Sequence, residues 1–332
     1  MGTDPAAGHH DEEWGEVAVV DFTSPDAPAE FTASLLHTGF AVLVNHPLPA
    51  PLVQQVFDEW SAFFGSEAKY RYAPEAGTQG GYVAPTIAET AKGNTVRDLK
   101  EFFHVYPWSV YPDEVSDAAL RYAEKAATVA RTLLDWVEAN TPPGIAARFS
   151  QPLSSMLDGS HRTLLRILRY PALTGDEEPG AVRAAAHEDI NLLTVLPAAD
   201  EPGLEVLDAH GHWHAVPCDP GSITVNTGEM LQHASGGYYR ATTHRVVNPT
   251  GEAALRPRMS APLFLHPADD GQLAGVSGAR VSVCPRSSIS RSSRKEKAVR
   301  PPASTTSSAG WRKSGADIRG RSAASPVGLT TR

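Results

Sequence analysis

The sequence predicts an α+β fold in which helices flank a core of strands. Apolar residues recur at three- and four-residue steps over 52–64 and 118–140, which is the period of amphipathic helices. From residue 163 onward, short strand-like runs separated by turns dominate instead. With 332 residues, of which 41% are hydrophobic, the chain can bury a full core in one large domain or two small ones.

The N-terminal half alternates strands and helices. A polar segment at the start of the chain is expected to form a flexible arm. Strands are predicted at 17–22 and 39–46, and helices at 28–37 and 52–64. The longest helix is predicted over 118–140, where few helix breakers interrupt the pattern, and its apolar face should pack on the outside of the sheet.

The C-terminal half contains the candidate functional residues. A strand is predicted from residue 164 to Pro171, where the missing backbone donor of proline ends it. Residues 184–194 and 239–249 are predicted as two further strands. In a strand, residues i and i+2 face the same side, so His187 and Asp189 can enter one pocket. His244 follows Asp189 by 55 positions, which is enough for several strands to bring it beside them.

These three residues, which we call the triad, suggest a metal site. Two imidazoles and one carboxylate on one side of a metal are the ligand set of non-haem Fe(II) oxygenases, because this arrangement leaves the opposite positions open. Glu188 points to the other face of the predicted strand and is not expected to bind metal. Asn191 and Thr194 are candidates for hydrogen bonds that hold the ligands in place.

The order of motifs resembles the catalytic core of the isopenicillin N synthase-like family of Fe(II)/2-oxoglutarate-dependent oxygenases. His-x-Asp at 187–189 is followed by hairpin-like segments and then by His-Arg-Val at 244–246. Fourteen residues after His244 comes Arg258-Met-Ser260, which is similar to the family's Arg-x-Ser motif. Gly-Phe at 39–40 and Asn-His at 45–46 are similar to its N-terminal region. The resemblance implies a double-stranded β-helix (jelly-roll) core with flanking N-terminal helices.

The resemblance also implies the cofactors and the residues that bind them. Fe(II) would be held by the triad, and 2-oxoglutarate would chelate the metal. Arg258 and Ser260 would bind the far carboxylate of 2-oxoglutarate, since the planar guanidinium can donate two parallel hydrogen bonds. Tyr170 matches a tyrosine that contacts the cosubstrate in the family, and a tyrosine that only packs within the strand is an equal alternative.

The activity implied by the resemblance is the oxidation of a small molecule. O2 and 2-oxoglutarate would be consumed to hydroxylate or otherwise oxidise the substrate, with release of succinate and CO2, as in the tailoring of antibiotics and other secondary metabolites. Tyr82, Lys100, Glu101 and His104 are candidate substrate contacts, and an exposed charged rim is the alternative for them. Two other functions stay open: a 2-oxoglutarate-independent oxidase, as isopenicillin N synthase itself is, and a catalytically inactive jelly-roll binding module.

Other histidines are interpreted as residues that do not bind metal. His46 and His233 lie where the family has structural residues, and His244 rather than His233 has the family spacing. His210, His212 and His214 flank the turn of a predicted hairpin and should be exposed.

Composition predicts a cytoplasmic protein, and the family resemblance implies that its partner is a small-molecule substrate. The first residues lack the basic and apolar regions of a signal peptide, and no apolar run reaches the roughly 18 residues that a membrane helix needs, so no membrane association is expected. The two cysteines, Cys218 and Cys284, are too few for a disulfide framework. Residues 1–285 carry 18 basic and 36 acidic residues, a net charge of −18, which argues against a nucleic-acid-binding groove. The oligomeric state is not predicted.

The last part of the chain differs in composition from the rest. Residues 286–332 contain 11 basic and 2 acidic residues, a net charge of +9, and show no apolar periodicity. Such a segment cannot bury enough surface to order itself, so we predict disorder. A reading-frame shift is one hypothesis for its origin, and a basic arm that binds a polyanion is the functional alternative. The expected segments are therefore 1–16 (flexible arm), 17–115 (N-terminal oxygenase region), 116–285 (long helix and oxygenase core) and 286–332 (tail).

A chain that ends at residue 285 is expected to keep the turnover of the full-length protein, because a disordered tail contributes no site residue. Succinate release by the two proteins at equal concentration checks this prediction. A loss of turnover in the shorter chain would favour a functional tail.

Overall fold

The helices follow the apolar periodicity of the sequence. The computed structural model describes residues 15–74, 78–85, 96–199 and 201–268. The α-helices of these ranges are α1 (Ala27–Thr38), α2 (Ala50–Phe64), α3 (Ala118–Asn140), α4 (Pro143–Ala146) and α5 (Glu229–Ala234). Helix α3 has the predicted bounds, and α1 and α2 differ from theirs by one or two residues at an end.

The strands are short and concentrated in the C-terminal half. In chain order they are β1 (Val19–Asp21), β2 (Phe40–Val44), β3 (Gly81–Val83), β4 (Glu101–Val105), β5 (Leu164–Tyr170), β6 (Ala184–His187), β7 (Leu193–Pro197), β8 (Leu204–Leu207), β9 (Trp213–Ala215), β10 (Ile223–Thr227), β11 (His244–Val246), β12 (Arg258–Ser260) and β13 (Leu263–Leu265). The mixture of strands and helices confirms the predicted α+β class.

Two sheets form the core of the molecule. In the described ranges, nine strands form the major sheet in the order β1-β2-β10-β7-β13-β5-β4-β3, with β12 paired to β5 as well. The minor sheet has the order β6-β11-β8-β9. Strands β1 and β2 come from the N-terminal region and pair with the C-terminal strand β10 through β2, so the two regions share one sheet.

Helices α1, α2 and α3 cover the outer face of the major sheet. Eleven residues of α3 are buried, and this helix packs on α1, α2, β7 and β13. The hydroxyl of Tyr122 donates a hydrogen bond to the carbonyl of Ala261, which ties the helix to the sheet (2.8 Å). Trp60 of α2 is fully buried among aromatic rings, including that of Phe103 at 5.1 Å. The predicted position of α3 outside the sheet is therefore confirmed.

A glycine connects α1 to the sheet. Gly39 ends α1 with φ 74°, and its backbone N–H donates to the carbonyl of Leu35. A side chain is disfavoured at this backbone conformation. A Cβ at this position would also meet the side chain of Thr242, two residues before the triad residue His244.

Two strand predictions were too long. The segment 184–194 is not one strand, because β6 ends at His187 and β7 begins only at Leu193. These strands lie in different sheets, so the chain must leave one sheet to enter the other, and Asp189 lies in the connection. The segment 239–249 is a strand only over β11. Beyond it, the N–H of Val247 donates to the carbonyl of Gly203 (2.9 Å), and the side-chain oxygen of Asn248 accepts from the N–H of Arg183 (2.9 Å).

Some predicted features lie outside the described residues. These are most of the N-terminal arm, Cys284 and the basic tail. Within the described ranges, no helix combines the length and the hydropathy needed to span a membrane.

Candidate active site

The triad residues converge at one end of the cleft between the sheets. His187 ends β6 and His244 begins β11, and the two residues are cross-strand partners in the minor sheet. Their rings lie 4.4 Å apart between centroids. Oδ1 of Asp189 lies 3.9 Å from Nε2 of each histidine. One ligand atom from each residue lies within 4.8 Å of the other two, so the three side chains can share one ion.

Backbone carbonyls orient both imidazoles. Nδ1 of His187 lies 2.8 Å from the carbonyl oxygen of Ala185, and Nδ1 of His244 lies 3.0 Å from that of Thr242. A carbonyl oxygen can only accept, so each Nδ1 carries the proton and each Nε2 keeps its lone pair. The ring of Phe40 packs edge-on against His244 at 5.4 Å. Both Nε2 atoms are therefore available as metal ligands.

The two oxygens of Asp189 have different environments. Oδ2 accepts hydrogen bonds from the hydroxyl of Thr194 (2.5 Å) and the side-chain amide of Asn226 (2.8 Å). The amide of Asn191 donates to Thr194 in turn (2.9 Å). Oδ1 faces the two histidines instead. This network confirms the expectation that Asn191 and Thr194 support the ligands, and it adds Asn226, which the sequence analysis did not single out.

The electrostatics of the site favour the protonation states that a metal requires. Desolvation, together with the nearby His244, lowers the pKa of His187 to about 4, although 40% of its side chain is accessible from the cleft. Burial alone would raise the pKa of Asp189. The charges of the two histidines and the hydrogen bonds from Asn226 and Thr194 outweigh burial and hold that pKa below its usual value. At neutral pH, His187 is neutral and Asp189 is ionised.

The triad opens into a cleft between the two sheets. The cleft contains about 610 Å3 of empty volume, part of it open to solvent. Its walls carry aromatic and aliphatic side chains from both sheets together with a few polar groups. The lining includes Phe40, Lys100, Arg166, Leu168, Tyr170, Leu196, Leu204, Asn226, Val246, Arg258, Ser260 and Phe264.

Arg258, Ser260 and Tyr170 lie together on one wall of this cleft. Arg258 and Tyr170 are cross-strand partners on β12 and β5, and the guanidinium carbon lies 5.4 Å from the Tyr170 ring centroid. Nε of Arg258 donates to the carbonyl of Glu201 (3.0 Å), whereas its buried Nη1 has no partner within the described ranges. Ser260 is buried two residues further along the strand. A buried, unpaired guanidinium nitrogen beside a hydroxyl provides a site for an anion.

A second buried arginine lies behind Tyr170. Arg183 is fully buried, and its guanidinium carbon lies 5.8 Å from the ring centroid of Tyr170. Nη2 donates to the carbonyl of Arg256 (3.3 Å), while Nε and Nη1 are unpaired. Burial and the charge of Arg258 lower its pKa. The sequence analysis missed Arg183, and the only available signal was an isolated charge in an apolar run before His187.

Comparisons with known proteins agree with this geometry. The profile of the 2OG-Fe(II) oxygenase superfamily matches residues 162–267. A second profile, described as "non-haem dioxygenase in morphine synthesis N-terminal", matches residues 17–126. A solved structure of a proposed oxygenase from Shewanella oneidensis is 48% identical with a TM-score of 0.72, covering 78% of this chain and 93% of that one. This chain belongs to the 2OG-Fe(II) oxygenase superfamily.

Further relatives of the oxygenase support the same assignment. A proposed 2OG-Fe(II) oxygenase family protein from Caulobacter crescentus is 31% identical with a TM-score of 0.63, and the match covers 76% of this chain and 87% of that one. Flavanone 3-dioxygenase 2 from Oryza sativa subsp. japonica is 26% identical over 270 residues, which cover 77% of this chain and 75% of that protein.

Membership in the superfamily confirms the predicted double-stranded β-helix fold and the enzyme class. The protein is a 2-oxoglutarate-dependent dioxygenase, with Fe(II) as its metal and 2-oxoglutarate and O2 as cosubstrates. The donor set fits this metal, since imidazole and carboxylate ligands on one side suit Fe(II) and leave open positions. Ligand atoms 3.9 Å apart can also both reach one ion at the usual bond length of about 2.0–2.2 Å.

The four candidate substrate contacts lie on opposite faces of the major sheet. Lys100 lines the cleft, with Nζ paired to Asp98 at 2.6 Å. His104 lies opposite the cleft-lining Arg166, and its Nε2 accepts a hydrogen bond from Nε of that arginine (2.8 Å). Glu101 lies on the opposite face of the sheet, and the hydroxyl of Tyr82 donates a hydrogen bond to it there. The structure therefore brings only Lys100 and His104 to the cleft side.

Glu101 belongs to a charge cluster on the other face of the sheet. Its cross-strand partner is Arg169, which alternates with the cleft-lining residues of β5. The Glu101 carboxylate accepts hydrogen bonds from Arg169 (2.9 Å), Lys69 (2.9 Å) and the hydroxyl of Tyr82 (2.7 Å). Three donors therefore converge on one buried carboxylate, which makes these contacts part of the packing between the sheet and its helices. Sequence alternation alone did not reveal this, because the start of β4 was not predicted.

Two of the three hairpin histidines are exposed, as the sequence predicted. These are His210 and His212, whereas the prediction was wrong for His214, which is half-buried because its ring lies 2.7 Å from the Asp208 carboxylate. Within the described residues, the triad is the one group of ligating side chains that could hold a metal ion. Glu188 accepts a hydrogen bond from Thr243 outside the triad (2.9 Å).

Proposed function

We propose that this dioxygenase hydroxylates, or otherwise oxidises, a small organic molecule in the tailoring of an antibiotic or another secondary metabolite. His187, Asp189 and His244 hold the iron in this proposal. Arg258 and Ser260 bind the far carboxylate of 2-oxoglutarate, and Tyr170 packs beside it. The named activity of the rice relative on a flavanone supports a small-molecule substrate.

The observation that carries the proposal is a shared cleft. The three metal-ligating side chains and the unpaired Nη1 of Arg258 open into the same space. Leaving a buried guanidinium nitrogen unpaired is unfavourable, so the position is suited to an anion that arrives with the reaction. This favours a 2-oxoglutarate-dependent reaction over the 2-oxoglutarate-independent oxidase, which has no second carboxylate to place there.

The cosubstrate 2-oxoglutarate accounts for the second oxygen atom of O2 in the proposed reaction. One oxygen atom of O2 enters the substrate C–H bond to give an alcohol, and the other enters 2-oxoglutarate, which becomes succinate and CO2. Bound iron supplies the positions at which O2 and 2-oxoglutarate are activated.

The side chains of the protein bind, orient and exclude water. Thr194 and Asn226 hold Oδ2 of Asp189, so that Oδ1 is directed to the histidines. Phe40, Leu196 and Val246 give the cleft an apolar lining next to the triad. Such a lining keeps bulk water from the reacting groups and strengthens the ion pair of Arg258.

Anaerobic titration of the protein with Fe(II) and then 2-oxoglutarate tests the proposal. The chelate gives a weak visible charge-transfer band in the wild-type protein. Arg258→Gln is expected to weaken 2-oxoglutarate binding by about 30-fold or more, since one partner of a buried charge pair is lost. Its Fe(II) affinity should be unchanged. Asp189→Ala is expected to lose Fe(II) binding and oxygen consumption.

Arg121→Gln is the matched control, because Arg121 is exposed on α3, where it pairs with its helix neighbour Asp117 and with Gln55 and does not line the cleft. It should behave as the wild-type protein. Absence of the band in the wild-type protein would favour an inactive binding module. Turnover of substrate without succinate release would favour the 2-oxoglutarate-independent oxidase.

A further inference from the structure

We infer that the primary substrate carries a carboxylate, or an anionic group of similar shape, and that Arg166 binds it. This inference deepens the proposed function and rests on it. Arg166 lies on β5 and lines the same cleft as the triad, four residues before Tyr170.

Neighbouring side chains hold the Arg166 guanidinium in place. Its Nε donates to Nε2 of His104 (2.8 Å), and Nδ1 of His104 lies 2.9 Å from the carbonyl oxygen of Gln79. The guanidinium carbon lies 4.8 Å from the ring centroid of Phe102 and 5.3 Å from that of Phe264. Among the residues that the structure describes, the Arg166 side chain makes its hydrogen bond through Nε, and neither terminal nitrogen is used. A side chain ordered in this way loses little conformational entropy when it binds a ligand.

Arg166 is the cleft cation that no other group accounts for. The charge of Lys100 is matched by Asp98 at 2.6 Å, and Arg258 is assigned to 2-oxoglutarate. Throughout the described ranges, no carboxylate lies within ion-pairing distance of Arg166. His104 is not a counter-ion either: burial and the proximity of Arg166 lower its pKa well below the usual value, so it stays a neutral hydrogen-bond acceptor for the guanidinium. The protein therefore places a positive charge in a largely apolar cleft without a counter-ion.

The position of Arg166 suits a ligand that also reaches the metal. Phe264, which packs against the guanidinium, is the cross-strand partner of Thr194. The Thr194 hydroxyl donates to Asp189 at 2.5 Å. Since cross-strand side chains start about 5 Å apart, the guanidinium lies on the order of 10 Å from the triad. An acid of that length would place its charged group on Arg166 and a C–H bond near the iron.

The apolar side chains that line the cleft with Arg166 indicate the character of the rest of the ligand. Leu168, Leu196 and Phe264 line the same cleft as Arg166 and the triad. The fork of a guanidinium matches the two oxygens of a carboxylate through parallel hydrogen bonds. The expected substrate class is thus a small acid with an apolar body.

Binding of a matched acid and amide tests this inference. 3-Phenylpropionate and 3-phenylpropionamide have the same apolar body and differ in charge. Each is titrated anaerobically into the protein loaded with Fe(II) and 2-oxoglutarate, and binding is followed by the change in the charge-transfer band. In the wild-type protein and in the Arg121→Gln control, the acid is expected to bind at least about 10-fold more tightly than the amide.

Two variants of Arg166 complete the experiment. Arg166→Gln should remove the preference for the acid while leaving the affinity for the amide and for 2-oxoglutarate unchanged. Arg166→Lys keeps the charge but lacks the fork, so it should retain part of the preference. If Arg166→Gln is unstable, the Arg166→Lys result decides alone.

Several results would overturn the inference. These are equal binding of acid and amide by the wild-type protein, no binding of the acid at millimolar concentration, or an Arg166→Gln variant that keeps the preference. A loss of 2-oxoglutarate affinity in that variant would assign Arg166 to the cosubstrate instead. Failure of the wild-type protein to form the charge-transfer band would count against the proposed function. That outcome is distinguishable from a failure of the inference on Arg166, in which the band forms but the acid is not preferred.

Discussion

At the residue scale, the two oxygens of the Asp189 carboxylate have different partners: one is held by the protein, and the other is directed to the metal position. One oxygen accepts two short hydrogen bonds, and the other faces the two histidines. Because the hydrogen-bonded oxygen cannot rotate away, the free oxygen keeps its direction toward the metal position. Residues that only contact the ligands should therefore affect metal affinity.

Replacement of Thr194 by valine tests the role of this contact. Thr194→Val removes the hydroxyl that donates to Asp189 and keeps the shape of the side chain. Fe(II) affinity should fall by about 10- to 100-fold, as for other residues that hold metal ligands. Anaerobic Fe(II) titration measures the change. Thr224→Val on the paired strand β10 is the control, since Thr224 is buried but does not contact Asp189. Equal affinities of the two variants would contradict the prediction.

Arg183 is the residue whose role depends most on its neighbours. Its guanidinium and that of Arg258 both lie over the ring of Tyr170. Two buried guanidinium groups without a carboxylate partner repel each other, which agrees with the lowered pKa of Arg183. An anion in the cleft would reduce that repulsion, so we interpret Arg183 as a group that supports the binding of 2-oxoglutarate.

At the element scale, the junction of β10 and α5 positions the site. Gly228 lies between the two elements, and its N–H donates to the carbonyl of Leu192 (3.1 Å). A Cβ here would lie 2.1 Å from the backbone oxygen of Asn191 and 2.3 Å from its side-chain oxygen. Asn191 supports the Thr194–Asp189 contact. The close approach of α5 to the β6–β7 connection thus requires glycine.

Replacement of Gly228 by alanine should disturb both stability and metal binding. The methyl group of Gly228→Ala would displace Asn191, at an expected cost of about 1–3 kcal/mol in the free energy of unfolding. Urea unfolding and Fe(II) titration measure the two effects. Gly144→Ala is the matched control, because Gly144 lies in α4 with open space around it. That change should be neutral or slightly stabilising. A Gly228→Ala protein as stable as the wild type would exclude the proposed packing constraint.

At the scale of the whole molecule, three partly or fully buried histidines link stability to pH. Burial lowers the pKa values of His46, His104 and His266. In the unfolded chain these groups titrate near their ordinary value of about 6.5. The unfolded state therefore binds protons more readily than the folded state does. These histidines favour the folded state above pH 6.5, and that contribution to the free energy of unfolding is lost as the pH falls below 6.5.

The stability of the metal-free protein should decrease between pH 7.5 and 5.5. Each of these histidines contributes up to about 1.4 kcal/mol per pH unit below 6.5. Urea unfolding at several pH values measures the slope. His104→Gln should reduce the slope, whereas His210→Gln, at an exposed position of the β8–β9 hairpin, should leave it unchanged. Identical slopes for His104→Gln and the wild-type protein would refute this account.

The sequence by itself determined the local properties of the molecule. The bounds of helix α3 were predicted correctly, because its apolar periodicity extends over 23 residues. This periodicity is visible in the sequence without knowledge of the elements that the helix packs against. The triad was predicted because ligand types are a property of the residues, and the order of the motifs resembled a known family. Arg258 and Ser260 were found through the same motif order.

Only the tertiary structure decided the relations between distant segments. It showed that Asp189 lies in a connection between two sheets, that Asn226 supports it, and that Glu101 faces away from the cleft. Arg183 also gained its significance only through its contact with Tyr170. The physical reason is that the face of a strand and the environment of a buried charge depend on pairing partners far away in the chain. Local periodicity carries no information about those partners.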